Sequence, residues 1–150
     1  MGSLQLRQLH PLFAAEASGL DMRRPLTPEA VAEVNAAMDR YAVLVFRGQA
    51  MEQEEQVAMA RQFGPLNPGL KQIGRQQERM RERELIDISN LDAEGRPMTA
   101  DTKKMVSQLA NQLWHSDSSF QSPAVSYSML NCLRPTSWGG ETEFVDLRAA

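Results

Sequence analysis

The sequence predicts a mixed α+β fold, and three observations carry that expectation. Thr27-Pro28-Glu29 supplies a helix start, with Val31, Val34 and Met38 recurring after it at helical spacing. Tyr41 to Phe46 is a short, continuous apolar run rich in β-formers and closed by Arg47-Gly48, which reads as a buried strand. From Ala124 to Leu133 the residues alternate in the manner of a strand with one inward face.

At 150 residues the chain is the size of a single domain with one core. Hydrophobic residues at 42% and charged residues at 23% describe an ordinary globular protein rather than a disordered one. A net charge of -3 gives no electrostatic reason to expect nucleic acid or an anionic membrane as partner. Cys132 is the only cysteine, so no internal disulfide forms and a reducing compartment is suitable. With no apolar run of membrane-span length and no hydrophobic signal core, the expectation is a soluble, cytoplasmic protein.

In chain order, His10-Pro11-Leu12-Phe13 opens an apolar entry segment that reads as a packed edge. After the first helix and strand, a second helix is expected over Met51 to Phe63, stopped by Gly64-Pro65. No glycine-rich phosphate loop follows the strand, so these elements cover a sheet rather than bind a nucleotide. Asn67 to Glu84 mixes Lys71, Arg75, Arg79, Arg81 and Arg83 with Glu78, Glu82 and Glu84. Such a run is a solvated face, or a lid in which Lys71 offers a cation to an anionic substrate. Leu85 to Ser89 is expected as a further strand, Asn90 to Pro97 as a turn-rich link, and Asp101 to Leu109 as a short amphipathic piece. Asp146 reads as the cap of a helix just beginning.

The chemistry concentrates at His115-Ser116-Asp117. On an extended strand, residues two apart point to the same face, so imidazole and carboxylate stand side by side. That donor pair suits a borderline divalent metal and is two thirds of a 2-His-1-carboxylate facial triad. The competing reading is a surface turn in which Asp117 caps a backbone amide and His115 is solvated. His10 is the other histidine and a formal third ligand. Asn111, four residues before His115, either faces the same pocket or serves as a turn amide.

W-H-S-D-S-S-F, then P-A-V-S-Y-S-M-L, then G-G-E-T-E-F-V-D-L-R-A-A resemble the TauD/TfdA family of Fe(II)- and 2-oxoglutarate-dependent dioxygenases, most of all its 2,4-dichlorophenoxyacetate branch. The resemblance extends upstream through H-P-L-F-A-A, V-L-V-F-R-G-Q, A-R-Q-F-G-P-L and D-I-S-N. It implies a double-stranded β-helix, or jelly roll, with flanking helices, of which residues 1–150 are one partial domain, the N-terminal half. It also implies Fe(II) on His115 and Asp117, 2-oxoglutarate held in part by Thr142, and O2 as co-reactant. The second iron histidine and the 2-oxoglutarate arginine come from the family's C-terminal half. Neither Arg134 nor Arg148 stands where the family carries that arginine, and no histidine follows His115.

Asn67-Pro68-Gly69 stands where taurine-type members carry a histidine, which argues against taurine as substrate. The resemblance therefore implies a small anionic substrate, an aryloxyalkanoate, touched by Asn111 or Lys71 and converted to a phenol and glyoxylate beside succinate and CO2. The rivals are a family member acting on another small carboxylate or sulfonate, and a truncated, non-catalytic binding or assembly module. A half-barrel also leaves strand edges and apolar faces bare, so it is expected to aggregate or to pair as a homo-oligomer unless something completes it.

Overall fold

Two alanines with almost no exposed surface, Ala15 and Ala17, mark the centre of the only sheet among the described residues. The computed structural model describes residues 2–67, 79–82 and 84–149. Its three strands lie in the order β1 (Gln5–Gln8), β2 (Ala15–Ser18), β3 (Leu44–Phe46). β1 runs antiparallel to β2, and β3 runs parallel to it with Ala15 opposite Leu44 and Ala17 opposite Phe46. A parallel neighbour needs a crossover, and helix α1 (Pro28–Tyr41) supplies it.

α1 begins where the sequence places it: the Thr27 hydroxyl accepts the Ala30 amide at 3.2 Å and Pro28 sits in the first turn. It ends later than expected. Tyr41 is the last helical residue rather than the first of a strand, because Ala42 turns into the left-handed region at φ 60° and returns its amide to the Met38 carbonyl. β3 is therefore three residues long and half-buried. Helix α2 spans Gln53–Arg61, and the Glu52 amide at its start donates to the Glu55 carboxylate at 2.9 Å.

The chain divides into two compact units, Met1–Gly64 with Asn131–Ala150, and Pro65–Leu130. In the first, Leu20, Met22 and Val34 form a core against which Leu4, Leu26, Leu44, Phe46, Met59 and Phe63 pack. The loop between β2 and α1 is pinned by two side-chain amides. Gln49 accepts from the Met22 amide and donates to the Leu20 carbonyl, both at 3.1 Å, and Gln62 accepts from the Leu26 amide at 2.6 Å. Arg148 closes the end of α1, donating to the Asp39 and Arg40 carbonyls at 3.0 and 3.4 Å while its guanidinium pairs with Asp146 at 2.8 Å. Asp146 accepts the Arg148 amide, a turn in place of the expected helix start.

The second unit carries helix α3 (Lys103–Gln108), continued by a 3-10 turn over Leu109–Gln112. The strand expected at Leu85–Ser89 is absent. Its alternation survives but is inverted: Ile86 and Ile88 face solvent while Asp87 points inward, because the cations of Arg79 and Lys104 lie there. Burial also alternates through Val125, Tyr127, Met129 and Asn131, yet this segment joins no ladder among the described residues. β1 and β2 escape a propensity reading because neither carries a β-branched or aromatic residue.

Two outcomes test this frame. Gly19 (φ +87°) and Gly48 (φ +67°) both need the left-handed region, but a Cβ at Gly19 would collide with the Ser3 carbonyl while one at Gly48 meets open space. Gly19→Ala should therefore cost more than about 2 kcal/mol and Gly48→Ala only about 1 kcal/mol in denaturant unfolding. Glu16, on β2, accepts from Arg7 on β1 and Arg47 after β3, each at 2.8 Å. The Arg47 hydrogen bond, more than that of Arg7, lowers the Glu16 pKa against a smaller opposing effect of burial. A depressed pKa means stability that is present above the ordinary glutamate range and lost as pH falls through the folded value. Melting temperature between pH 7 and pH 3 should accordingly fall less for Glu16→Gln than for the wild type.

Candidate metal centre

The candidate pair stands at the end of a helical run. The Thr102 hydroxyl accepts the Met105 amide at 3.3 Å and its carbonyl accepts the Val106 amide, starting α3. The 3-10 turn that follows presents Asn111 to solvent, and the chain then leaves regular structure at Leu113.

Here the geometry departs from the strand expected for His115 and Asp117. Residues 117–120 form a turn in which Ser118 takes a left-handed conformation at φ 51° and its carbonyl accepts the Gln121 amide at 3.2 Å. Ser116 donates to Ser119 at 2.9 Å across the same turn. The turn, not strand alternation, brings the two side chains together: His115 Nε2 lies 3.3 Å from Asp117 Oδ1. Both are about half exposed, open to a ligand.

The other imidazole nitrogen decides how the ring is presented. Nδ1 lies 2.7 Å from the Leu113 carbonyl, and a carbonyl oxygen can only accept, so Nδ1 carries the proton. In the neutral ring Nε2 then holds the free lone pair, on the side facing Asp117. A backbone carbonyl on the second nitrogen is the usual support of a metal-binding histidine. Two ligands at right angles, each about 2.1 Å from one ion, stand about 3 Å apart, close to the observed separation. The pair therefore fits two adjacent positions on a divalent ion. Among the described residues no group of three or more His, Cys, Asp or Glu side chains converges on a metal site, so the pair supplies two donors and no third.

The remaining sequence candidates belong to the first unit or lie outside the described residues. Thr142 belongs to the first unit, in an irregular, exposed stretch from Glu141 to Val145. Lys71 lies outside the described residues. His10 belongs to the first unit, where its Nδ1 accepts the Leu12 amide at 3.3 Å and its ring rests on Phe13 at 4.8 Å between centroids. It lines an open cleft in the first unit with Phe144, Val145 and Asp146, but the packed edge expected there is not seen: Leu9 and Leu12 are exposed and residues 10–13 are a bend between β1 and β2. Arg148 is engaged at the end of α1 and with Asp146.

Sequence reasoning missed a cluster in the second unit. Asp87, its side chain only 9% exposed, takes both Arg79 (3.3 Å) and Lys104 (3.2 Å) on one oxygen. The signal was available, because Asp87 is the one charge inside the apolar run Leu85 to Ile88 and a buried carboxylate requires a cation. Trp114 and Phe120, on either side of the pair in the sequence, are 66% and 70% exposed.

Residues 5–150 match the family described as taurine catabolism dioxygenase TauD, TfdA family. The chain is 47% identical over 148 residues to the alpha-ketoglutarate-dependent 2,4-dichlorophenoxyacetate dioxygenase of Cupriavidus pinatubonensis, covering 99% of this chain and 52% of that protein. The enzyme of the same description from a Burkholderia species is 46% identical, with 50% of its length covered. An (S)-phenoxypropionate/alpha-ketoglutarate-dioxygenase of Sphingobium herbicidovorans is 30% identical, with 47% covered. Among solved structures, that of AAD-2 in complex with Mn(II) and N-oxalylglycine superposes with a TM-score of 0.66 at 42% identity, over 79% of this chain and 38% of that one. The chain thus spans about half the length of the curated relatives it matches, and it belongs to the TauD, TfdA family of dioxygenases.

Proposed function

We propose that the protein carrying this chain is an Fe(II)- and 2-oxoglutarate-dependent dioxygenase that hydroxylates a small aryloxyalkanoate, and that the chain is the N-terminal half of its jelly-roll domain. The observation that carries the reading is the His115–Asp117 pair at 3.3 Å, its imidazole oriented by the Leu113 carbonyl. The 47% identity to a 2,4-dichlorophenoxyacetate enzyme supports the substrate class.

When bound, iron with 2-oxoglutarate and O2 supplies the oxidising power, one oxygen atom going to succinate and the other to a substrate C–H bond, with release of CO2. The chain's own residues provide position. His115 and Asp117 hold two adjacent sites and leave the rest to a third protein ligand and the co-reactants. The Asp117 charge offsets part of the cation's, and the Leu113 hydrogen bond keeps the imidazole in the tautomer that can ligate. Thr142, exposed and free of helix or strand, offers its hydroxyl to the distal carboxylate of 2-oxoglutarate beside an arginine from outside this chain. Asn111 and Lys71 are proposed to meet the carboxylate of the substrate. Hydroxylation of the carbon between the ether oxygen and that carboxylate gives a hemiacetal, which breaks its C–O bond to release a phenol and glyoxylate.

The test is turnover of 2-oxoglutarate by the intact protein with phenoxyacetates. Loss of either ligand, His115→Ala or Asp117→Ala, should lower turnover at least about 100-fold, beyond the usual cost of removing an outer partner. Thr142→Ala should raise the KM for 2-oxoglutarate about 10-fold, the worth of one hydrogen bond to a charged group, with iron affinity unchanged. Turnover indifferent to His115→Ala would refute the site, and 2-oxoglutarate turnover with taurine but no aryloxyacetate would refute the substrate class.

A further inference from the structure

The second unit contains a charge cluster that the chemistry above does not use. Asp87 Oδ2 accepts from Arg79 Nη1 at 3.3 Å and from Lys104 Nζ at 3.2 Å. Each cation has a second anchor, the Ser89 hydroxyl for Arg79 and the Leu91 carbonyl for Lys104, both at 3.2 Å. One nearly buried carboxylate oxygen thus ties together residues 79–82, residues 85–91 and the first turn of α3.

The placement of Lys104 makes this more than helix stabilisation. It is the second residue of α3, and the first turn contains no acidic residue. A helix N-terminus carries a partial positive charge and disfavours a cation. For helix formation alone, an acid would serve better at that position. The contact is favourable only because Asp87 lies opposite, so it trades helix propensity for a fixed direction of the helix. From Lys104 the helical run continues without a break to Gln112, and the next residue is Leu113, whose carbonyl orients His115.

We infer that Asp87 and Lys104 are positioning residues for the metal pair: their contact aims the run Lys103–Gln112, and with it the Leu113 carbonyl and the His115 ring. This rests on the reading of His115 and Asp117 as metal ligands. Neither residue touches the ion or a substrate. Their effect passes through the helix, and breaking the contact should loosen the imidazole rather than remove a donor. Arg79 holds the same carboxylate oxygen, keeping Asp87 inward when Lys104 is replaced.

The test uses the intact protein, which supplies the third metal ligand that the described residues lack. Co(II), which resists oxidation in air, stands in for Fe(II), and its visible ligand-field absorption gives the apparent Kd. Lys104→Met should weaken Co(II) binding about 10-fold and Lys104→Arg should restore most of it, as for loss and repair of an outer-shell partner. Asp87→Asn is the second variant, expected to match Lys104→Met. Hydrogen exchange without metal should quicken in residues 103–117 of both weakened variants while β1–β3 stay protected, an effect that general destabilisation would not confine. Unchanged Co(II) affinity in Lys104→Met and Asp87→Asn, with the wild type binding normally, overturns the inference and leaves the metal reading standing. No Co(II) binding by the wild-type intact protein overturns the metal reading and this inference together.

Discussion

The candidate site depends on one hydrogen bond, from His115 Nδ1 to the carbonyl two residues before it. Without it an imidazole on a half-exposed loop is free to rotate and to exchange tautomers, and two donors within reach of each other do not make a metal site. With it, Nε2 faces the Asp117 carboxylate, and the turn through Ser118 holds that carboxylate in place. The bond is local, yet its acceptor is not independently fixed. Leu113 hangs from a helical run whose first turn is tied by Lys104 to Asp87, so the aim of the ring is set several residues upstream.

The first unit solves a different problem, building a stable support from little buried area. Its buried side chains are small or medium, and the alanines of β2 contribute almost nothing beyond close approach. Polar side chains take over part of the fastening: Glu16 spans the sheet between two arginines, and Gln49 and Gln62 satisfy loop backbone groups. Leu133, Trp138 and Leu147 of this unit remain largely exposed. That is in keeping with a chain spanning half the length of its curated relatives.

What the sequence made legible is whatever local chemistry determines. The start of α1 follows from Thr27 and Pro28, and α2 falls within Met51 to Phe63. His115 and Asp117 were legible as a pair because donor type and spacing are local properties, while the turn that joins them was not. Nothing in His-Ser-Asp-Ser-Ser announces that Ser118 takes a positive φ, a conformation uncommon outside glycine and asparagine. β1 and β2 were hidden because their residues are strand-like only once paired, and the Leu85–Ser89 strand failed because two distant cations draw Asp87 inward. Long-range charge and pairing decided the strands, and a single sequence records neither directly.

The most direct test of the account is nitrogen-15 NMR of the imidazole rings, since this chain has only two histidines to assign. The account expects His115 with its proton on Nδ1, and its ring signals broadened by a small amount of Mn(II) while those of His10 stay sharp. A proton on Nε2 of His115, or Mn(II) broadening His10 and sparing His115, would contradict it.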